Sequence, residues 1–204
     1  DSNLKNITTD ENFDTFSFSW YNNTDIDPAT GLTPYNNMQK VLKVCHDFVD
    51  NFDNTFSNLL FIGQTGVGKT FLSNCIARAL MDSCHSIIYL TAGEFFDSFK
   101  SDDFKEFGSS KFDTSFFIEC DLLIIDDLGT EKASDYNFSN LFNTINERLL
   151  RRKSIIISSN LEMPDIETRY SQRIFSRLVS AYSILRLFGD DIRCMKKLSP
   201  EKRA

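Results

Sequence analysis

The chain has 204 residues, 41% hydrophobic and 25% charged, with a formal net charge of −7. This length holds one α/β domain with a full core plus an extension, and excludes two complete domains. The composition is that of a soluble globular protein, no apolar run reaches bilayer length, no secretory signal is visible, and the bulk acidity excludes a surface that is wholly a nucleic-acid platform.

Charge is unevenly placed. Residues 1–144 hold 9 Lys/Arg against 22 Asp/Glu, whereas residues 145–204 hold 13 against 7. Opposite signs at the two parts favour head-to-tail contact between copies, with ordinary solvated faces as the equal alternative. Cys45, Cys75, Cys84, Cys120 and Cys194 are odd in number, scattered and never spaced C-x-x-C, and most lie in apolar surroundings, the usage of small core residues in a reducing cytoplasm. His46 and His85 lack ligand spacing. The chain begins at Asp1 without an initiator methionine, as a piece of a longer protein would.

Residues 1–34 are rich in Asn, Asp and Thr and read as an arm. Phe16, Phe18 and Trp20 alternate and are flanked by Phe13 and Tyr21, which predicts an extended segment with docked aromatic side chains. Whether residues 12–21 cover an adenine, pack on the core or bridge to a neighbour stays open. From Tyr35 to Phe52 the apolar residues recur at helical spacing. A strand follows at Asn58–Ile62.

After that strand comes GQTGVGKT, Gly63 to Thr70, which fills every fixed position of the pattern Gly-x4-Gly-Lys-Ser/Thr. Its glycines let the backbone curl so that N–H groups converge on phosphate oxygens, and the following helix adds its positive end. Lys69 reaches the β and γ phosphates, and the Thr70 hydroxyl is a ligand for Mg²⁺. The nucleotide-binding set is therefore Gly63, Gln64, Thr65, Gly66, Val67, Gly68, Lys69, Thr70 and Phe71.

Ser86–Thr91 is a second strand. Ala92–Cys120 carries Phe95, Phe96, Phe99, Phe104, Phe107, Phe112, Phe116 and Phe117 between Lys100, Lys105 and Lys111. Spacing favours core, with a stacking surface for single-stranded nucleic acid as the alternative. Asp121–Asp126 is a third strand, apolar until it delivers carboxylates at its C-terminal end, where open α/β sheets place ligands. Asp126 is the candidate for holding Mg²⁺ and Asp127 for orienting or deprotonating a water. Asp135–Arg152 reads as a helix and Ser154–Ser159 as a fourth strand, ending in Asn160. That amide suits a γ-phosphate and a water, or equally a turn before Pro164. Ile166–Tyr182 reads as a helix broken near Tyr170, with Arg173 and Arg177 on one face. Ser183–Phe188 is a fifth strand, and the end, KKLSPEKRA, reads as frayed.

The order of GQTGVGKT, DLLIIDDLG, IIISSN and QRIFSRL resembles the AAA+ ATPases, and more closely the DnaC/DnaI-type helicase loaders and their relative IstB, from about Asn36 to Arg193. The resemblance implies a three-layer P-loop NTPase core, with a five-stranded, mainly parallel sheet, helices on both faces and no C-terminal helical lid. It divides the chain into an arm (1–34), the ATPase core (35–195) and a tail (196–204). It implies that Lys69, Asp127, Asn160, Arg177, Arg173 and Arg193 are catalytic, with Asn160 at the sensor 1 position, Arg177 at the arginine-finger position and Arg193 near a sensor 2 position. Metal ligands are then Thr70 and Asp126, and the ligands ATP and Mg²⁺. The implied activity is a slow, cytoplasmic ATPase of DNA replication, stimulated by assembly or DNA. It assembles head-to-tail with ATP at subunit junctions and grips single-stranded DNA through the phenylalanine-rich window. It engages a replicative helicase through a region preceding Asp1, and no membrane. An IstB-like transposition helper and a non-hydrolysing ATP-dependent adaptor are the alternatives. The adaptor is motivated by Asp127, where many AAA+ proteins have Glu. A small-molecule P-loop kinase leaves Asn160, Arg173 and Arg177 without a place.

Overall fold

The computed structural model describes residues 10–100 and 114–198. Five strands, β1 (Leu59–Ile62), β2 (Ile87–Thr91), β3 (Leu122–Leu128), β4 (Ser154–Ser159) and β5 (Ser183–Arg186), form one sheet in the order β2-β3-β4-β1-β5. Every pairing is parallel. β1 to β4 are short aliphatic runs buried on both faces, the composition a covered parallel sheet requires, while β5 is a half-exposed edge.

Alternation along the strands creates two cores. Leu59, Phe61, Ile87, Tyr89, Leu122, Ile124 and Ile156 face α1 (Pro34–Asp50) and α2 (Lys69–Asp82). Leu60, Ile62, Ile88, Leu90, Leu123, Ile125, Ile155 and Ile157 face α3 (Ala92–Lys100), α4 (Phe116–Glu119), α5 (Asp135–Leu150), α6 (Met163–Arg169) and α7 (Gln172–Ala181). This is the expected three-layer arrangement. α1 starts where it must: Pro34 occupies its first turn, the Thr33 hydroxyl accepts the Asn36 N–H, and Met38, Val41, Cys45 and Phe48 then fall on one buried face. The break near Tyr170 is present, because the Ser171 side chain caps a new helix. α7 buries Ile174 and Leu178 and leaves Arg173 and Arg177 exposed. None of the described helices is long and apolar enough to cross a membrane.

Three expectations need correction. The arm is not extended: Phe13–Thr15 and Phe18–Trp20 are 3-10 turns, because the Asn12 and Ser17 side chains accept the N–H groups of Thr15 and Ser19 and bend the chain locally. Its aromatic side chains are docked as expected, with Phe13, Phe16, Phe18 and Tyr21 packed on the α1/α2 core. β3 continues through Asp127 and Leu128. Finally, of the tail read as frayed, Lys196, Lys197 and Leu198 close α8 (Ile192–Leu198), whose start is held by the Asp191 carboxylate accepting the Cys194 N–H at 3.1 Å, and residues 199–204 lie outside the described residues.

In the phenylalanine-rich window, Phe95, Phe96 and Phe117 are core, Phe99 packs against them, and Phe116 is 56% exposed. Lys100 pairs with Asp97 at 2.7 Å. Phe104, Lys105, Phe107, Lys111 and Phe112 lie outside the described residues.

Candidate nucleotide site

The sheet order sets three strand ends side by side at one rim: β3, β4 and β1, delivering Asp126 and Asp127, Asn160, and the loop from Gly63. The loop's shape depends on glycine at two close approaches. At Gly63 (φ 142°) a Cβ would lie 2.0 Å from the Leu187 carbonyl oxygen, and at Gly66 (φ 82°) it would lie 2.1 Å from the Asp191 carboxylate. α2 opens from Gly68 without a side-chain cap, so its first amides are donors for an anion.

Lys69 is 5% exposed, and its Nζ donates to the carbonyls of Gly63 and Gln64 and to Asn160 Oδ1, each at 2.7 Å. Burial holds its pKa below the ordinary lysine value, against the opposing pull of Asp127 and Asp126. Asn160 in turn donates from Nδ2 to Asp127 Oδ1 at 3.4 Å. The amide proposed from sequence is thus in contact with both the loop lysine and the second carboxylate.

Asp126 is 5% exposed. Its Oδ2 accepts from the Thr70 hydroxyl and the Tyr89 hydroxyl, both at 3.0 Å, and its Oδ1 accepts from the Ser158 hydroxyl. Among the described residues no cationic side chain lies within 4 Å of it. A buried carboxylate surrounded only by hydroxyls, one of them at the start of a phosphate-loop helix, is a hard oxygen donor set that fits Mg²⁺.

Asp127 reaches the same cleft by a backbone irregularity. The β3/β4 register steps between Ile125, opposite Ile157, and Leu128, opposite Ser159, so β3 carries one extra residue there. Asp127 takes up the change with a left-handed φ of 56°, and its N–H donates to Ser158 Oγ at 3.0 Å. Strict alternation would put neighbouring side chains on opposite faces; the bulge turns Asp127 toward the cleft beside Lys69. Burial and then Asp126 raise its pKa, against Lys69, Arg193 and the Asn160 amide.

The cleft holds about 840 Å³, counted with the solvent space at its mouth, and is bounded by the loop, the arm and α8. Arg193 and Lys196 of α8 line it, and the Lys196 ammonium lies 5.7 Å from the Trp20 ring centre. Sequence reasoning left the arm's place open. Phe16, Trp20 and Tyr21 line the cleft while Phe16 also meets Phe71 at 6.0 Å, and the Tyr21 hydroxyl donates to the Val67 carbonyl at 3.3 Å. Glu11, not singled out from sequence, anchors the arm on the Asn74 amide of α2. Lys196, Tyr89 and Ser158 were also missed; for Ser158 the signal was a polar residue inside an aliphatic strand. Of the sequence candidates, Lys69, Thr70, Asp127, Asn160 and Arg193 line the cleft and Asp126 lies behind it on the Thr70 hydroxyl, whereas Arg173 and Arg177 are exposed and outside the cleft lining.

The family model described as "IstB-like ATP binding protein" matches residues 32–199. The replicative helicase loader DnaC of Escherichia coli strain K12 is 23% identical over 151 residues, covering 74% of this chain and 61% of that protein, so the chain spans about three fifths of its curated relative. A crystal structure of the DnaC helicase loader superposes with a TM-score of 0.71 at 21% identity, covering 88% of this chain and 98% of that one. The AMPPCP-bound structure of DnaA from Aquifex aeolicus gives 0.72 at 17% identity, covering 96% and 56%. The two structures establish the fold, and the family model, matching 168 of 204 positions, settles membership: the chain belongs to the IstB-like ATP-binding proteins and carries their AAA+ P-loop fold.

Proposed function

We propose that this chain is the ATP-hydrolysing core of a replicative-helicase loader, working in the cytoplasm with MgATP at the junction between head-to-tail copies. The observation that carries the reading is the convergence of Lys69, Thr70, Asp127, Asn160 and Arg193 on one cleft, with Asp126 bonded behind it to the Thr70 hydroxyl, and with Arg173 and Arg177 exposed elsewhere. In this reading Gln64, Thr65, Val67 and the loop glycines present amides to the phosphates, and Phe71 lies beside the cleft. Lys69 exchanges its bonds to Gly63 and Gln64 for the β and γ phosphates. Thr70 and Asp126 would hold Mg²⁺, which would supply positive charge to the phosphoryl oxygens. Asn160 orients the attacking water and Asp127 accepts its proton while the β–γ bridging bond breaks. Arg177, with Arg173 beside it, acts on the nucleotide of the adjacent copy. The helicase is engaged through a region outside this chain, and single-stranded DNA through the phenylalanine-rich window Ala92–Cys120.

The test is phosphate release against protein concentration, with and without single-stranded DNA. Turnover per chain rises with both, and Arg177→Ala lowers it by about 10³-fold with ATP affinity retained. Concentration-independent turnover that ignores this substitution overturns the trans arrangement, and MgATP binding without phosphate release favours the adaptor. A second reading, the IstB-like transposition helper, is favoured by the family model itself. Capture of a hexameric helicase, as opposed to a transposase, by the full-length protein separates the two.

A further inference from the structure

The loop, the acids and the amide leave one group at the rim without a role. Ser158 of β4 is fully buried, and its single hydroxyl makes two contacts, donating its proton to Asp126 Oδ1 and accepting the N–H of Asp127. These are the two residues that oppose Ser158 where β3 bulges.

The geometry follows from strand parity. Tyr89, Ile124 and Ile156 all face α2, and Asp126 and Ser158 are each two residues further along their strands, on the same face. Tyr89 stands one same-face position back, opposite Ile124, and its hydroxyl reaches forward to Asp126 under the Thr70 end of α2, so that Tyr89 and Thr70 share Asp126 Oδ2 and Ser158 takes Oδ1. An ordinary ladder would continue through Asp127, but the extra residue withdraws its N–H from the β4 backbone. The Ser158 side chain replaces that lost acceptor. One oxygen thus fixes the orientation of the first carboxylate and the backbone turn that aims the second.

We propose that Ser158 is a positioning residue of this site, setting Asp126 for a divalent cation and Asp127 for the cleft, with Tyr89 assisting at Asp126 alone. The proposal rests on the MgATP reading above. It gives different expectations for two hydroxyls on one carboxylate: Ser158 touches both acids, Tyr89 only one.

The test measures binding of a fluorescent ATP analogue to the intact chain across a magnesium titration, with and without EDTA, alongside phosphate release. For Ser158→Ala, binding in EDTA stays as in the unsubstituted protein, the magnesium concentration needed for tight binding rises roughly tenfold or more, and turnover at saturating magnesium falls as well. Tyr89→Phe, which loses a contact to Asp126 alone, raises the magnesium requirement and lowers turnover at saturating magnesium by less than Ser158→Ala does. Ser159→Ala removes a neighbouring buried hydroxyl bonded to the Leu128 carbonyl and leaves the magnesium requirement unchanged. Should Ser158→Ala not fold, Ser158→Cys, close in size but weak as donor and acceptor, carries the same expectation. An unchanged magnesium requirement in a folded Ser158 variant overturns the inference and leaves the MgATP reading standing. Equal losses in EDTA and in magnesium reduce Ser158 to a packing role and overturn it too. If the unsubstituted protein shows no magnesium-dependent nucleotide binding at all, both readings fall.

Discussion

The two ends of the central sheet each bury a charge, and they treat it in opposite ways. At the end where the strands start, Arg148 is fully buried on α5, and its guanidinium donates to the carbonyls of Phe117, Cys120, Asp121 and Ser154 at 2.6–3.1 Å. Around it, Asp121 pairs with Lys153 at 2.8 Å and His85 with Asp53 at 2.9 Å. At the end where the strands finish, Asp126 faces three hydroxyls and Lys69 is held by two carbonyls and an amide, with the two acids and the lysine near one another but not ion-paired. The first end is closed but for one atom: each charge has the partners that define it, and among the described charged groups only Arg148 Nε is buried without one. The second is matched by neutral groups that a phosphate and a cation can displace. That difference, more than the presence of charge, separates scaffold from site.

The contrast can be broken at either end. Arg148→Ala deletes the donor that several buried carbonyls share, so it should cost about 3–5 kcal/mol of folding stability in a urea titration. Below its transition it should leave the nucleotide affinity of the remaining folded protein unchanged. Asp126→Asn should do the reverse. It removes a buried negative charge without a cationic partner and barely alters the unfolding midpoint, while phosphate release falls about a hundredfold or more. Equal stability losses from both substitutions would erase the proposed distinction.

Smaller effects sharpen it. Asn160→Ala removes one of three acceptors of Lys69 and the amide on Asp127. It should lower turnover more than ATP affinity, read as kcat falling with KM nearly constant. The smallest effect is set by pH. Burial would raise the Asp121 pKa, but Lys153 and the N–H and hydroxyl of Ser86 outweigh it and hold it at about 2. Its folded pKa lies below its unfolded value, so its contribution is complete above the ordinary aspartate range and disappears as pH falls toward 2. His85 has the opposite sign: the Asp53 hydrogen bond raises its pKa against burial, so that contribution is present in acid and fades as pH rises past the ordinary histidine value. Asp121→Asn should flatten acid unfolding in that window by about 1 kcal/mol or less, since the pair is partly solvated.

Much of this end of the sheet is legible in the chain. GQTGVGKT has few alternative uses, and runs such as LLII and IIIS, short, β-branched and alternating with helical segments, read as buried parallel strands, so strand number, direction and the rim position of Asp126 follow. What escaped depends on pairing and on local hydrogen bonds. The extra residue at Asp126–Asp127 exists only relative to β4, and nothing in DLLIID marks it. The 3-10 turns of the arm arise from Asn12 and Ser17 side chains competing with an aromatic alternation that by itself reads as extended. Arg148 stands one helical turn from Thr144 and Ile145 and two from Leu141 on the buried face of α5, yet a charged residue there reads as solvent-facing until the carbonyls it meets are in place.

The central claim is a site completed by a second copy of the chain, and it is tested most directly by mixing two inactive variants. Lys69→Ala removes the nucleotide contact and leaves Arg177; Arg177→Ala does the converse. Each alone should show negligible phosphate release. An equimolar mixture should regain turnover, because some junctions pair an intact nucleotide cleft with an intact Arg177. A mixture that releases no more phosphate than the two variants measured separately, at concentrations where the unsubstituted protein is active, contradicts the account.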